Sequence, residues 1–176
     1  AFALAAVSTA ASAEGSITVV SWGGAYTKSQ VEAYHKPFTA KTGIAINSVD
    51  YSGGVAEVKA QVEAGNVTWD IVDVELSDAV RGCDEGLFEE LDRSMFKPAP
   101  DGTPMDDDIM VEVPNDCLVP QIFWSYVPFY QEGTFTGEQP TTIADFFNVK
   151  KFPGKRGIHT WPNALIEMAL LADGVA

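Results

Sequence analysis

The stretch Ile17-Thr18-Val19-Val20-Ser21-Trp22-Gly23-Gly24-Ala25-Tyr26 decides the fold. Ile17 to Val20 are four β-prone residues in a row, which predicts a strand buried on both faces, as in parallel sheets. The strand runs straight into an aromatic residue, two glycines and a helix start. In open α/β folds such a turn lies at the carboxyl end of the sheet, where backbone N–H groups and a helix N-terminus face the ligand. Gly23 and Gly24 are therefore candidate ligand-binding positions, with Trp22 and Tyr26 as large flat surfaces at the same edge. The turn holds no nucleophile with a base beside it, so it is suited to gripping a small molecule.

Working outward, Val31, Tyr34 and Phe38 predict one face of a helix over 25–42, kinked at Pro37 and stopped by Thr42-Gly43. Ile44 to Tyr51 alternates as a second strand, closed by Ser52-Gly53-Gly54. Val55, Val58 and Val62 repeat the helical spacing up to Gly65. Residues 69–75 predict a third strand, with Trp69 at its amino end as a structural residue and Glu75 at its ligand-facing end. Ser77 is expected to cap a further helix with Val80, Cys83 and Leu87 on one face. This β-α-β-α-β-α order is that of a doubly wound parallel sheet. Tyr51, at the end of the second strand, is a further candidate for the ligand edge.

From Phe88 to Asp116 the pattern dissolves into an acidic, proline-containing stretch, expected to be a solvated loop. Its Asp106-Asp107-Asp108 run lacks the spaced ligands and glycine of a calcium loop, so no metal or cofactor is expected. Leu118 to Val127 predicts a long strand leaving one lobe and entering another, carrying Trp124 and Tyr126. Thr142 and Asp145 are spaced as a capping box before Phe146 and Phe147. Arg156 to Thr160 predicts another strand, and Trp161-Pro162-Asn163 opens the last helix. Trp161 and Asn163 are therefore candidates for the ligand edge as well.

The formal charge is −14, and residues 70–116 hold 15 acids against Arg81, Arg93 and Lys97. A field of that sign repels nucleic acid and anionic lipid and favours cationic partners. Residues 1–13 have the apolar run and the Ala11-Ser12-Ala13 small-x-small site of a cleavable export signal, which implies a periplasmic destination. The chain is expected to be a piece of a longer exported protein. Cys83 and Cys117, an even count in an exported chain, are expected to form a disulfide.

Ser21-Trp22-Gly23-Gly24-Ala25-Tyr26, Thr42-Gly43-Ile44 and Trp69-Asp70-Ile71-Val72 resemble the first lobe of bacterial extracellular solute-binding proteins. The stretches 152–157 and 167–175 are similar to the opening of the second lobe, and the nearest group in pattern is the spermidine/putrescine-binding type of ABC importer. The resemblance implies a periplasmic-binding-protein-like fold of type II, two-lobed and incomplete in this chain, with a first lobe over 14–120 and a crossing segment and truncated second lobe over 121–176. It implies a monomeric receptor that binds a polyamine or other organic cation between its lobes and hands it to an inner-membrane permease. Trp22 falls where polyamine binders stack an aromatic ring on the ligand, Glu75 falls near the cleft end of the third strand, and Trp124 and Tyr126 fall where the crossing strand enters the pocket.

One departure stands out: polyamine binders carry carboxylates in the region of 160–166, whereas no acid lies between Thr160 and Glu167 here. A small organic anion at the Gly23-Gly24 helix start is therefore an alternative ligand. A secreted hydrolytic enzyme using Asp73 with Glu75, or Cys83 with His159, is the alternative of another class, though no pairing in the sequence demands it.

Overall fold

A computed structural model of the chain describes residues 15–175, so the expected export signal lies outside the described residues. The chain divides into two units, one ending at Pro120 and one beginning at Gln121. In the first unit, strand β1 (Ser16–Ser21) is the centre of a three-stranded sheet of order β2-β1-β3. Both β2 (Ala45–Asp50) and β3 (Ile71–Val72) run parallel to β1, with Ser21 opposite Asp50 and Val20 opposite both Val49 and Val72. A central strand between two parallel partners must be covered on both faces. Val20 and Ser21, whose side chains point to opposite faces, are 0 % and 1 % exposed. Val20 joins Val55, Val58 and Ala79 in the apolar core.

The first crossover is helical from Gly24 to Thr42 but not uniform. Helix α1 (Gly24–Gln30) passes through a π-helical turn (Val31–His35) into α2 (Lys36–Thr42), where the N–H of Lys36 donates to the carbonyl of Val31 five residues back. The kink expected at Pro37 is thus replaced by one widened turn just before it, where a proline can no longer supply its own N–H. The extra residue rotates the helix, so the expected stripe of Val31, Tyr34 and Phe38 is not the buried one. Tyr34 and Phe38 are 55 % and 38 % exposed, while Thr27, Gln30 and His35 are buried. Gly43, at φ 77°, ends α2 in the left-handed conformation, its N–H on the carbonyl of Thr39.

Helix α3 (Ala56–Glu63) forms as its valine spacing predicts, and strand β2 lies within the expected range. Strand β3 is shorter than expected, and aspartates flank it on both sides, their N–H groups still donating to β1 (Asp70 to the Thr18 carbonyl, Asp73 to that of Val20). Asp70 accepts the N–H of Thr18 on its side chain at 2.7 Å, and Asp73 turns its carboxylate to Ser21 and Gln30. Helix α4 (Leu76–Asp84) starts earlier than Ser77 allows as a cap. Glu75 is its N-cap residue, without a side-chain cap bond, and not the end of a strand. The helix buries Asp78, Ala79 and Gly82 instead of the Val80–Cys83–Leu87 stripe. Gly82 carries the ring of Phe88, since a Cβ there would lie 2.2 Å from Phe88 Cε2.

The acidic stretch after Phe88 is more organised than a solvated loop. It contains a 3-10 turn (Arg93–Met95) and a short helix α5 (Met105–Asp108). Arg93 gathers it, its Nε donating to Asp116 at 2.8 Å, Nη1 to Asp106 at 3.2 Å and Nη2 to the carbonyl of Asn115 at 3.3 Å. The expected Cys83–Cys117 disulfide fastens the far end of this stretch to α4.

Neither strand expected further along the chain forms, and among the described residues no strand follows Val72. Residues 118–127 and 156–160 have strand-like sequences but no neighbouring strand to take their N–H and C=O groups, and a strand without partners is not stable. Helix α6 (Ile143–Phe147) carries the expected capping box of Thr142 and Asp145. Helix α7 (Leu165–Ala172) is capped by Ala164 at φ 64°, not by Asn163, which stays in the preceding turn. Phe152, 2 % exposed, anchors the second unit, with Phe135 edge-on at 5.3 Å.

Candidate functional site

The carboxyl end of β1 gathers the site of the first unit. Trp22 follows the strand directly, and its ring centroid lies 5.5 Å from that of Tyr51, the residue that follows β2. Tyr51 in turn meets Trp69 edge-on at 5.7 Å. Trp69, expected to be structural at the opposite edge, therefore belongs to the same aromatic run. The reach of Tyr51 explains this: its ring spans the central strand, and its hydroxyl donates to the carbonyl of Asp73 beyond β1. Burial, then the negative charge of Asp73, pushes the Tyr51 pKa well above its ordinary value.

Beneath the aromatic run lies a polar layer. The Asp73 carboxylate accepts from Ser21 Oγ and from Gln30 Nε2, each at 3.0 Å. Tyr26, on α1, presents its hydroxyl to the same carboxylate, outside full hydrogen-bond geometry. Burial first, then Asp73, raises its pKa far above the usual phenol range. Both tyrosines are thus held as neutral phenols.

Gly23, at φ 81°, makes the turn that only glycine adopts without strain. Its N–H is already donated to Thr27 Oγ1 at 2.8 Å, so this amide is not offered to an anion. The Asp50 side chain lies so close that a Cβ on Gly23 would stand 2.9 Å from Asp50 Oδ2. Gly24, at φ 60°, has open space beside its Cα. Glu75 stands at the start of α4, two residues beyond Asp73.

The second unit brings together Trp124, Tyr126 and His159. Trp124 and Tyr126 are edge-on at 4.6 Å, and Tyr126 stacks on His159 at 4.9 Å and 21°. The backbone N–H of Trp161 donates to His159 Nδ1 at 3.2 Å. Asn163 lies in the turn before α7. A separate cavity of about 330 Å³ lies against Arg93, Phe96, Pro104 and Met105 in the acidic stretch, away from the sheet edge. No group of three or more His, Cys, Asp or Glu side chains among the described residues is placed to hold a metal. Cys83 and Cys117, joined to each other, are not thiol nucleophiles, which removes the Cys83–His159 pair.

Asp50, Asp73 and Trp69 also stand at this edge, beyond the candidate residues that the sequence suggests. For Asp50 a signal existed. In a parallel sheet the residue opposite Ser21 comes to the same edge as Trp22, and that residue is Asp50.

The first unit is thus an α/β fold whose parallel sheet, with helical crossovers, ends in an aromatic, acid-lined carboxyl edge. The chain belongs to the family of bacterial extracellular solute-binding proteins, whose pattern matches residues 33–176. It is similar to the gamma-aminobutyric acid-binding protein of Pseudomonas aeruginosa, with 42% identity over 174 residues, covering 99% of this chain and 47% of that one. Among solved structures it is similar to the PBP MotA from A. tumefaciens B6 in complex with glucopine (29% identity, TM-score 0.68, 90% of this chain and 46% of that one). It is also similar to an ABC transporter substrate-binding protein from Bradyrhizobium japonicum (35% identity, TM-score 0.66, 92% and 48%). A GABA receptor structure matches at 32% identity with a TM-score of 0.61, again over 92% and 48%. The fold is periplasmic-binding-protein-like, and the chain spans about half the length of the relatives it matches. The family is one of binding proteins, not of enzymes. No helix among the described residues is long and apolar enough to cross a membrane.

Proposed function

We propose that the chain belongs to the periplasmic substrate-binding component of an ABC importer, that its ligand is a small molecule bearing an ammonium group, and that it delivers this ligand to an inner-membrane permease. Residues 14–120 supply the first lobe and 121–176 the crossing segment and the opening of the second. Trp22, Gly23, Gly24, Tyr26, Tyr51 and Glu75 are ligand-edge residues on the first, and Trp124, Tyr126, Trp161 and Asn163 on the second. The observation that carries the reading is the run of Trp22, Tyr51 and Trp69 with the carboxylates of Asp50 and Asp73 at one sheet edge. Aromatic faces attract a cation by ~0.5–2 kcal/mol each, and the neighbouring acids repel an anion.

Within amines, an amino acid with a distant amine, such as gamma-aminobutyrate (GABA), is favoured over a polyamine. A similar protein is named for binding that compound, and no acid lies between Thr160 and Glu167 for a second ammonium. A small organic anion is the less favoured reading, because the Gly23 N–H is taken by Thr27 and Asp50 stands beside it.

The test is calorimetric titration of the full gene product carrying this chain with GABA, putrescine and butyrate. Saturable one-to-one binding of GABA, weakened about 2- to 30-fold by Trp22→Ala, is the expected result. Binding of butyrate alone, or amine binding indifferent to Trp22→Ala, would overturn it.

A further inference from the structure

We propose that Asp73 is the positioning residue of the ligand edge: its carboxylate, gripped by Ser21 and Gln30, orients the carbonyl that holds the Tyr51 ring between Trp22 and Trp69. Helix α1, which carries Gln30, thereby sets the aromatic surface on which an ammonium group rests. This deepens the reading above and rests on it.

The need for such a tie follows from where Tyr51 stands. Its N–H donates to the carbonyl of Ser21 at 2.9 Å, and beyond it the chain leaves the sheet, turning through Gly53 and Gly54 at φ 88° and 82°. One backbone bond leaves the direction of a tyrosine side chain open, since several rotamers satisfy it. The hydroxyl closes that choice. Strands β2 and β3 flank β1 on opposite sides and do not pair with each other, yet the Tyr51 hydroxyl reaches across and donates to the carbonyl of Asp73. The ring then lies 5.5 Å from that of Trp22 and 5.7 Å from that of Trp69, edge-on to the latter. With its O–H so engaged, Tyr51 offers a ligand its ring.

Asp73 is itself held at two points. Its N–H donates to the carbonyl of Val20 at 2.9 Å, and its carboxylate accepts from Ser21 Oγ and Gln30 Nε2, each at 3.0 Å. The carboxylate serves no helix end, because Glu75 occupies the N-cap of α4. Its two donors belong to residues that are 1 % and 5 % exposed. Stability alone does not account for Gln30. Its Oε1 is buried without a hydrogen bond among the described residues, and a buried polar atom left unbonded costs stability that an apolar side chain of the same shape would not. What the glutamine supplies is the N–H on Asp73.

Calorimetric titration of GABA into the full gene product separates this role from a general contribution to the fold. Tyr51→Phe keeps the ring and removes the tie, whereas Asp73→Ala and Gln30→Met loosen the grip on Asp73. Gln30→Met preserves side-chain length and serves where Asp73→Ala does not fold. Each variant should weaken GABA binding roughly 2- to 10-fold, the effect of one hydrogen bond. Asp73→Asn should recover part of the loss, because its amide still accepts one donor and Gln30 Oε1 is available to the new N–H. Acting through one hydroxyl, the two residues should not add: Tyr51→Phe combined with Asp73→Ala should bind GABA no more weakly than Tyr51→Phe. Additive losses, or a Tyr51→Phe protein that binds GABA as wild type does, overturn the proposal. Ring placement also has a readout without ligand. In protein labelled with fluorotryptophan, the fluorine NMR resonances of Trp22 and Trp69, assigned by Trp22→Phe and Trp69→Phe, should move in Asp73→Ala and Gln30→Met and return towards wild type in Asp73→Asn. Resonances unmoved by Asp73→Ala and Gln30→Met overturn the proposal. If GABA fails to bind the wild type, the amine reading falls, while the fluorine spectra still decide the role of Asp73.

Discussion

Gly23 illustrates how one residue can hold both shape and chemistry. Its positive φ lets β1 turn abruptly into α1, and its missing Cβ leaves room for the Asp50 carboxylate beside Trp22. Gly23→Ala would impose a strained backbone and a 2.9 Å approach to Asp50 Oδ2 together. It is expected to cost about 1–3 kcal/mol in urea unfolding and to weaken ligand binding by moving Asp50. Gly24→Ala, with open space around it, should cost only the backbone strain. A Gly23→Ala protein as stable as Gly24→Ala would show that Asp50 yields freely. Sequence alone marks both glycines as turn residues but does not distinguish them, because the difference lies in a side chain from another strand.

At the scale of elements, two features set stability. The π-helical turn faces His35 into the protein, where burial lowers its pKa. A histidine held below its unfolded value stays neutral in the folded chain while the unfolded chain takes up a proton. Its presence therefore leaves stability unchanged above the ordinary histidine range and erodes it as pH falls through that range, from about 7 towards 5. Thermal unfolding of His35→Leu across that interval should show a shallower decline than wild type, and an unchanged slope would refute the assignment. The second feature is the acidic stretch between α4 and Cys117, closed by a disulfide spanning 34 residues of sequence. Replacing both cysteines by serine should cost roughly 3–4 kcal/mol on the chain-entropy account. Faster hydrogen exchange should appear at Leu91, whose N–H is held by the Asp116 carbonyl beside the Arg93 ion pairs. A double serine variant with wild-type unfolding would mean that Arg93 alone suffices.

At the scale of the whole molecule, the charge of −14 acts on encounter more than on the bound state. A field of one sign raises the association rate of oppositely charged ligands and is screened by salt, with a Debye length of about 8 Å at physiological ionic strength. The association rate of a cationic alkylamine is expected to fall as salt rises, while that of net-neutral GABA changes little. Stopped-flow tryptophan fluorescence would read both, and a cationic ligand insensitive to salt would remove charge steering from the account.

The sequence by itself determined the order of strands and helices in the first unit, the Thr142–Asp145 capping box, the Cys83–Cys117 pairing and the aromatic edge after β1. Apart from the cysteine pairing, which follows from there being two cysteines in the chain although they lie 34 residues apart, these rest on local rules, the apolar period, glycine at turns and cap spacing, which neighbours in sequence suffice to satisfy. Tertiary structure decided the rest. It limited β3 to two residues and rotated the first helix at the π-helical turn. It withheld strands from 118–127 and 156–160, which have no ladder partners. It also brought Asp50, Trp69 and Asp73 to the edge of Trp22, and His159 to Tyr126. Each of those outcomes depends on a partner distant in the chain, through strand register, side-chain reach or a missing neighbour, and hydrophobic periodicity carries no record of such a partner.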